Sequence, residues 1–120
     1  MEIKFLQKRK KIIAIENGKV IGHLRFNYPN DHSNRRNINI DDIYVKPEHR
    51  IKGIATQMIQ TFLDNFKSKI VWASLWTNEE METNKTYGLY KKLGFEELAH
   101  QPDYYKKGIG TRLFVKKLKE

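Results

Sequence analysis

The 120-residue sequence contains no cysteine. Disulfides and thiolate metal ligands are therefore excluded, and the composition suits a reducing compartment. No apolar run approaches the ~18 residues that a membrane-spanning helix needs, so no membrane partner is expected. The N-terminal stretch MEIKFLQKRKK is basic but lacks the apolar core of a signal peptide, and the protein reads as cytoplasmic. No internal repeat or low-complexity linker interrupts the chain, so residues 1–120 are expected to form one domain. The four histidines, His23, His32, His49 and His100, show no ligand spacing, so no metal site is expected. Acidic residues are scarce, 14 against 23 Lys and Arg, which leaves a net charge of +9. Such a balance favours anionic partners: nucleic acid, anionic lipid or a phosphate-bearing small molecule. The basic residues are scattered, and no helix interleaves a basic stripe with aromatics, so nucleic acid is not the expected partner.

What is present suffices for a globular core, with 39% hydrophobic and 12% aromatic residues. IKFLQ (3–7) reads as a short first strand. In KKIIAIENGKVIGHLRFNY two strand-like runs flank Asn17-Gly18, a pair suited to a type I′ hairpin turn. PNDHSNRRN (29–37) reads as a loop. INIDDIYV (38–45) reads as a strand closed by Pro47. Its apolar alternation changes phase at Asp41-Asp42, as a bulge would make it do. Ile51, Ile54, Ala55, Met58, Ile59, Phe62, Leu63 and Phe66 recur at helical spacing, giving a helix with one buried face. IVWASLW (70–76) follows as a strand, so the unit is βαβ and its two strands are parallel. Trp72 and Trp76 share one face of that strand, and core packing is the first expectation for both, a substrate-lining role the alternative. NEEMETNKTYGLYKKLG (78–94) reads as a second helix, acidic early, lysine-rich late and stopped by Gly94. FEELAH and TRLFVKKL close the chain as antiparallel strands around Gly108–Gly110. The expected fold class is α/β, an α+β mixed sheet with two main helices.

HRIKGIATQMIQTFLDNF (49–66) carries the first functional signal. A helix start leaves backbone N–H groups unpaired at the positive end of the dipole. Arg50 and Lys52 add charge, Gly53 lets backbone approach a ligand, and Ala55 keeps the first turn slim. A pyrophosphate suits such a place. The segment is not a P-loop, because no lysine–serine/threonine pair follows the glycine.

Order along the chain adds to this. YVKPEHRIKGIATQMI resembles the R/Q-x-x-G-x-G/A motif of the GNAT acyltransferase superfamily. LYKKLGF resembles that family's second signature, a tyrosine-bearing helix followed by a Gly-Phe strand start. The resemblance runs from about residue 12 to 118. It implies a GNAT-like acyl-CoA N-acyltransferase fold with a splayed parallel strand pair. It also implies acetyl-CoA (coenzyme A) as donor and an amine as acceptor, on a small molecule or on a peptide or protein. By position, Ile43, Tyr44 and Val45 would line the acyl and pantetheine arm, with the Ile43 and Val45 amides as donors. Arg50, Ile51, Lys52, Gly53, Ile54, Ala55 and Thr56 would cradle the pyrophosphate. Tyr90 matches the signature tyrosine, whose phenol would protonate the leaving thiolate. Tyr87, one turn earlier, is expected in the core.

An alkylammonium has a pKa near ~10.4, so a base must take its proton before attack. Asp41 and Asp42 lie where several family members place an acidic residue facing the acceptor. Alternation along a strand lets only one of them line the cleft, as base or as anchor for a cationic substrate; Asp41 shares parity with Ile43, but the suspected bulge leaves the choice between them open. With no cysteine to serve as a relay, direct transfer is expected. Tyr104 and Tyr105 are candidates for the acceptor mouth. Two features depart from the family pattern. The usual pantetheine-contacting asparagine position holds Thr83, and Asn84 comes one residue late. The two helices that usually follow the first strand are missing, so the acceptor side is expected to be open, or covered by the NYPNDHSNRRN loop (27–37) or by the second subunit of a homodimer. The alternative reading is a non-catalytic acyl-CoA-binding module or regulatory protein.

Overall fold

The chain runs through β1 (Glu2–Leu6), β2 (Lys11–Glu16), β3 (Lys19–Asn27), β4 (Asn37–Val45), α1 (Ile54–Phe66), β5 (Trp72–Trp76), α2 (Asn84–Lys92), β6 (Glu96–Lys106) and β7 (Ile109–Lys117). This is a computed structural model, and it describes residues 1–29, 36–50, 52–81 and 84–119. Most of the 29–37 loop, with His32, lies outside the described residues, as do Ile51 and Thr83. The seven strands form one mixed sheet in the order β1-β2-β3-β4-β5-β7-β6. The β4–β5 pair is parallel. The other neighbours are antiparallel. Asn17 (φ 51°) and Gly18 (φ 76°) make the β2–β3 turn, both with the positive φ that a type I′ hairpin requires.

The apolar stripe of α1 buries Ile54, Met58, Ile59, Phe62, Leu63 and Phe66. It packs with Ile12, Ala14, Leu24 and Phe26 of the sheet, and the rings of Phe26, Phe62 and Phe66 meet at centroid distances of 5.1 to 5.8 Å. Helix α2 joins the same core. Tyr87 and Tyr90 pack on Phe114, at 5.8 and 5.4 Å, and Phe114 stands opposite Leu75 in the sheet. Gly94 (φ 95°) ends α2. Its N–H bonds the Lys91 carbonyl at 3.0 Å, and Phe95 N–H bonds the Tyr90 carbonyl at 2.9 Å. That pair of bonds is a Schellman stop, and the accompanying apolar contact is Phe95 against Tyr90. The helix stop thus fixes both ends of the signature LYKKLGF.

Both helices lie on one face of the sheet, and this overturns the expectation for the tryptophans. Ala73 and Leu75 point to the helices and are buried, so strand alternation turns Trp72, Ser74 and Trp76 to the other face. Among the described residues no helix covers that side. Trp72 is 40% exposed and Trp76 55%.

Several boundaries also shift. Helix α1 begins at Ile54 because Gly53 is left-handed (φ 77°). The acidic end of the expected second helix is a turn: the Asn78 side chain accepts from Glu80 N–H at 2.9 Å, and Asn78 carbonyl accepts from Met81 N–H. Glu79 and Glu80 therefore do not act on the α2 dipole. Strand β6 runs on to Lys106 through a register break after Gln101. There Asp103 (φ 57°) accepts from Gly108 N–H at 2.6 Å. No helix among the described residues is long and apolar enough to cross a membrane.

Candidate functional site

The parallel pair is short. Asn37–Ile40 of β4 match Trp72–Leu75 of β5, and the pairing stops there. Beyond Ile40, β4 stays with β3. The chain after β5 follows β7 instead: Thr77 N–H bonds Arg112 carbonyl at 2.9 Å and Glu79 N–H bonds Gly110 carbonyl at 3.0 Å. Just past β4, Lys46 N–H bonds Ile21 carbonyl on the β3 side at 2.9 Å. Backbone groups alternate edges along a strand, so the Tyr44 and Asp42 amides point toward β3 as well. The Ile43 and Val45 amides point the other way, into the gap left by β5. Such amides need a partner.

A bulge accompanies the parting. Arg25 faces Asp42 and Phe26 faces Ile40, which leaves Asp41 unmatched. The expected bulge is therefore there, but its consequence differs from simple alternation: both aspartates reach the helix-free face. Asn39 lies on that face, between buried Ile38 and Ile40, and its amide donates to Asp41 Oδ1 at 2.7 Å. His23 lies there too, between buried Gly22 and Leu24, with Nε2 2.8 Å from Asp42 Oδ2. Arg25 Nε is 4.0 Å from the same oxygen.

On the helix side the gap opens into a groove of about 690 Å³. Ile43, Tyr44 and Val45 form one wall, the first turn of α1 another, and Leu89 and Tyr90 of α2 the third. Gly53, Ile54, Ala55 and Thr56 line it. The first bond inside α1 runs from Gln57 N–H to Gly53 carbonyl at 3.0 Å, and no side chain caps the end. The amides of Ile54, Ala55 and Thr56 thus have no partner within the helix and sit at its positive pole. A Cβ on Gly53 would meet no atom within 4 Å, so the left-handed φ, not crowding, demands glycine there. Arg50 also lines the groove. Its Nε donates to Val45 carbonyl at 2.8 Å, and its guanidinium lies 5.5 Å from the Tyr44 ring centre. Tyr90 is 4% exposed and lies against the groove.

Lys52 is exposed and off the groove wall, and Asn84 starts α2. Tyr104 and Tyr105 stack edge to face at 4.9 Å on the exposed part of β6 and do not line the groove. Five lining residues were not anticipated: His49, Ile59, Met81, Thr86 and Leu89. Helical spacing signals three of them. Ile59 follows Ala55 by one turn, Thr86 precedes Tyr90 by one turn, and Leu89 follows Thr86 at i+3. His49 and Met81 lie outside both helices, where no period marks them.

Beside the site, Glu79 binds Gly110 N–H at 2.7 Å, and Arg112 and His100 Nε2 each at 3.3 Å. Burial opposes ionisation of Glu79, but the Gly110, His100 and Arg112 hydrogen bonds outweigh it and hold the carboxyl below its ordinary value. A hydrogen bond from Arg112 to Glu97 at 2.8 Å holds the guanidinium above its ordinary value. A depressed carboxyl stabilises the fold above its unfolded pKa and loses that contribution as pH falls through the folded value. Urea midpoints should therefore drop as pH falls below about 4.5, the ordinary glutamate value. In Glu79→Gln, midpoints should be lower at neutral pH and fall less steeply in acid. A drop equally steep in both proteins would exclude Glu79 as the cause.

The sequence profile of the acetyltransferase (GNAT) domain matches residues 8–97, and the chain belongs to that family. Thialysine N-ε-acetyltransferase of Bos taurus is 36% identical over 75 residues, covering 58% of this chain. The matched region spans 41% of that relative. Ribosomal-protein-S18-alanine N-acetyltransferase from Escherichia coli superposes with a TM-score of 0.79 at 15% identity, over 92% of this chain and 69% of that one. A GNAT family acetyltransferase from Elizabethkingia anophelis, solved with acetyl-CoA bound, superposes with a TM-score of 0.75 at 19% identity, over 90% and 75% of the two chains.

Proposed function

We propose that the protein transfers an acetyl group from acetyl-CoA to a primary amine by direct attack. The observation that carries this reading is the released end of β4, whose Ile43 and Val45 amides face a groove leading to the uncapped first turn of α1. The groove volume falls in the range usual for ligand sites, roughly 300–1,000 Å³. The amides of Ile54, Ala55 and Thr56, which have no partner within the helix, with Arg50 beside them, fit a diphosphate. The donor supplies an activated thioester; the chain's own residues do the rest. Ile43 N–H is placed to stabilise charge on the acyl oxygen. The Tyr90 hydroxyl supplies a proton to the departing sulfur. Asp41 or Asp42, on the opposite face, receives the amine and takes its proton. The acceptor is a small-molecule amine or a peptide or protein amine, and the second subunit of a homodimer would supply the missing wall of the acceptor side. The cytoplasm, where thioester donors are made, is the setting.

Thermal unfolding with acetyl-CoA tests the reading. At ~100 times its dissociation constant the ligand should add about 2.7 kcal/mol. No shift would sink the reading. A shift without coenzyme A thiol release across an amine library would instead indicate an acyl-CoA-binding or regulatory module.

A further inference from the structure

Where the two parallel strands part, side chains hold the chain after β5 to β7 in place of a regular ladder. In a hydrogen-bonded antiparallel rung, two residues exchange both N–H···O=C bonds. At Thr77 only one bond is of that kind, Thr77 N–H to Arg112 carbonyl at 2.9 Å. The return bond goes to a side chain: Arg112 N–H donates to Thr77 Oγ1 at 3.0 Å. Thr77 carbonyl accepts instead from Thr111 Oγ1. Two residues on, the pattern repeats. Glu79 N–H donates to Gly110 carbonyl at 3.0 Å, and Gly110 N–H donates to Glu79 Oε1 at 2.7 Å. A Cβ at position 110 would collide with that carboxylate oxygen and with the Gln101 carbonyl, so glycine admits both.

Among the described residues, Thr77 and Thr111 are the fully buried polar side chains, at 1% and 2% exposure. A buried N–H left without an acceptor costs free energy. The oxygens of Thr77 and Glu79 meet that need on β7 while the backbone between them diverges. The consequence reaches the groove. A chain that kept pairing with β4 beyond Leu75 would fill the gap that the Ile43 and Val45 amides face. Instead Thr77 and Glu79 follow β7, and the segment they anchor brings Met81 to the groove wall.

We infer that Thr77 and Glu79 are positioning residues, whose side-chain oxygens hold the strands parted and the Met81 wall in place before acetyl-CoA arrives. The ligand in this statement rests on the acetyl-transfer reading above; the two rungs do not. A site formed in only a fraction of molecules binds with an affinity reduced by that fraction.

Calorimetric titration with acetyl-CoA tests the inference. Thr77→Val keeps the side-chain shape and removes its oxygen, and Glu79→Met keeps the length and removes the acceptor. Each should raise the Kd at least ~tenfold. Thr77→Ser and Glu79→Gln retain an acceptor for the β7 N–H and should bind close to wild type. Ile12→Val trims the core on β2, away from the groove, and should lower the unfolding midpoint without changing the Kd. In the ligand-free protein, hydrogen exchange of the Glu79 amide should be at least ~tenfold faster in Thr77→Val than in wild type.

Wild-type affinity in both Thr77→Val and Glu79→Met would overturn the inference. So would equal losses in Glu79→Gln and Glu79→Met, which would make charge and not the rung responsible. A Kd rise in Ile12→Val as large as theirs would also overturn it, by making global stability the cause. Should the wild type not bind acetyl-CoA, the acetyl-transfer reading fails, and the Glu79 exchange rate alone decides whether the rungs hold this segment.

Discussion

Thr56→Glu is expected to erase acetyl-CoA binding while leaving the free protein as stable as before, or slightly more so. Thr56 is the third residue of α1, half-buried, and lines the groove. A carboxylate in the first helical turn interacts favourably with the dipole, by about 0.3–1 kcal/mol. The same carboxylate would face the proposed diphosphate. Like charges ~4 Å apart at an effective dielectric near 20 repel by about 4 kcal/mol, more than the ~2.7 kcal/mol of stabilisation expected at saturation. The dissociation constant should rise at least ~100-fold, since each decade is about 1.36 kcal/mol. Thr56→Gln has the same bulk without charge and should keep most of the thermal shift. If Gln and Glu lose it equally, steric filling rather than the anion site explains the result. If Thr56→Glu keeps a full shift, the diphosphate does not lie at this turn.

Tyr90→Phe is expected to lower kcat by about 100-fold at neutral pH, the lower end of the usual range for losing a positioned acid. The ring is held between Phe95 and Phe114, so removing the hydroxyl leaves its apolar packing in place. The acetyl-CoA dissociation constant should stay within about twofold, because an interaction made only in the transition state changes kcat and kcat/KM together. A fall of less than about threefold would mean that Tyr90 only packs.

Periodicity alone located α1 and its buried face, and Asn17-Gly18 alone located the hairpin. The phase change at Asp41 gave the bulge, since buried Ile38 and Ile40 could not share a face with Ile43 and Val45 otherwise. The parting of β4 from β5 was not legible in this way. It depends on which residues of β5 pair with β7, a long-range register that no local pattern carries, and only the family resemblance suggested it. The faces of Trp72 and Trp76 were misjudged because an aromatic pair at strand spacing reads as core until the helices are known to occupy one side. The two aspartates were misjudged for a related reason: alternation forbids neighbours from sharing a face, and a bulge lifts that restriction. Helix α2 starts late because Asn78 captures the NEEM segment in a turn. Strand β6 was cut short because Pro102 and Gly108 look like loop residues, and a register break accommodates them.

The placement of both helices on one side divides the labour of this sheet. Residues that gather donor and core belong to the covered side. Those proposed to meet the acceptor, Asp41 and Asp42, hold no part of the hydrophobic interior. Mutational drift on the bare surface is thus nearly free of a folding penalty, and a lineage could exchange one nucleophile for another while the thioester machinery stayed untouched.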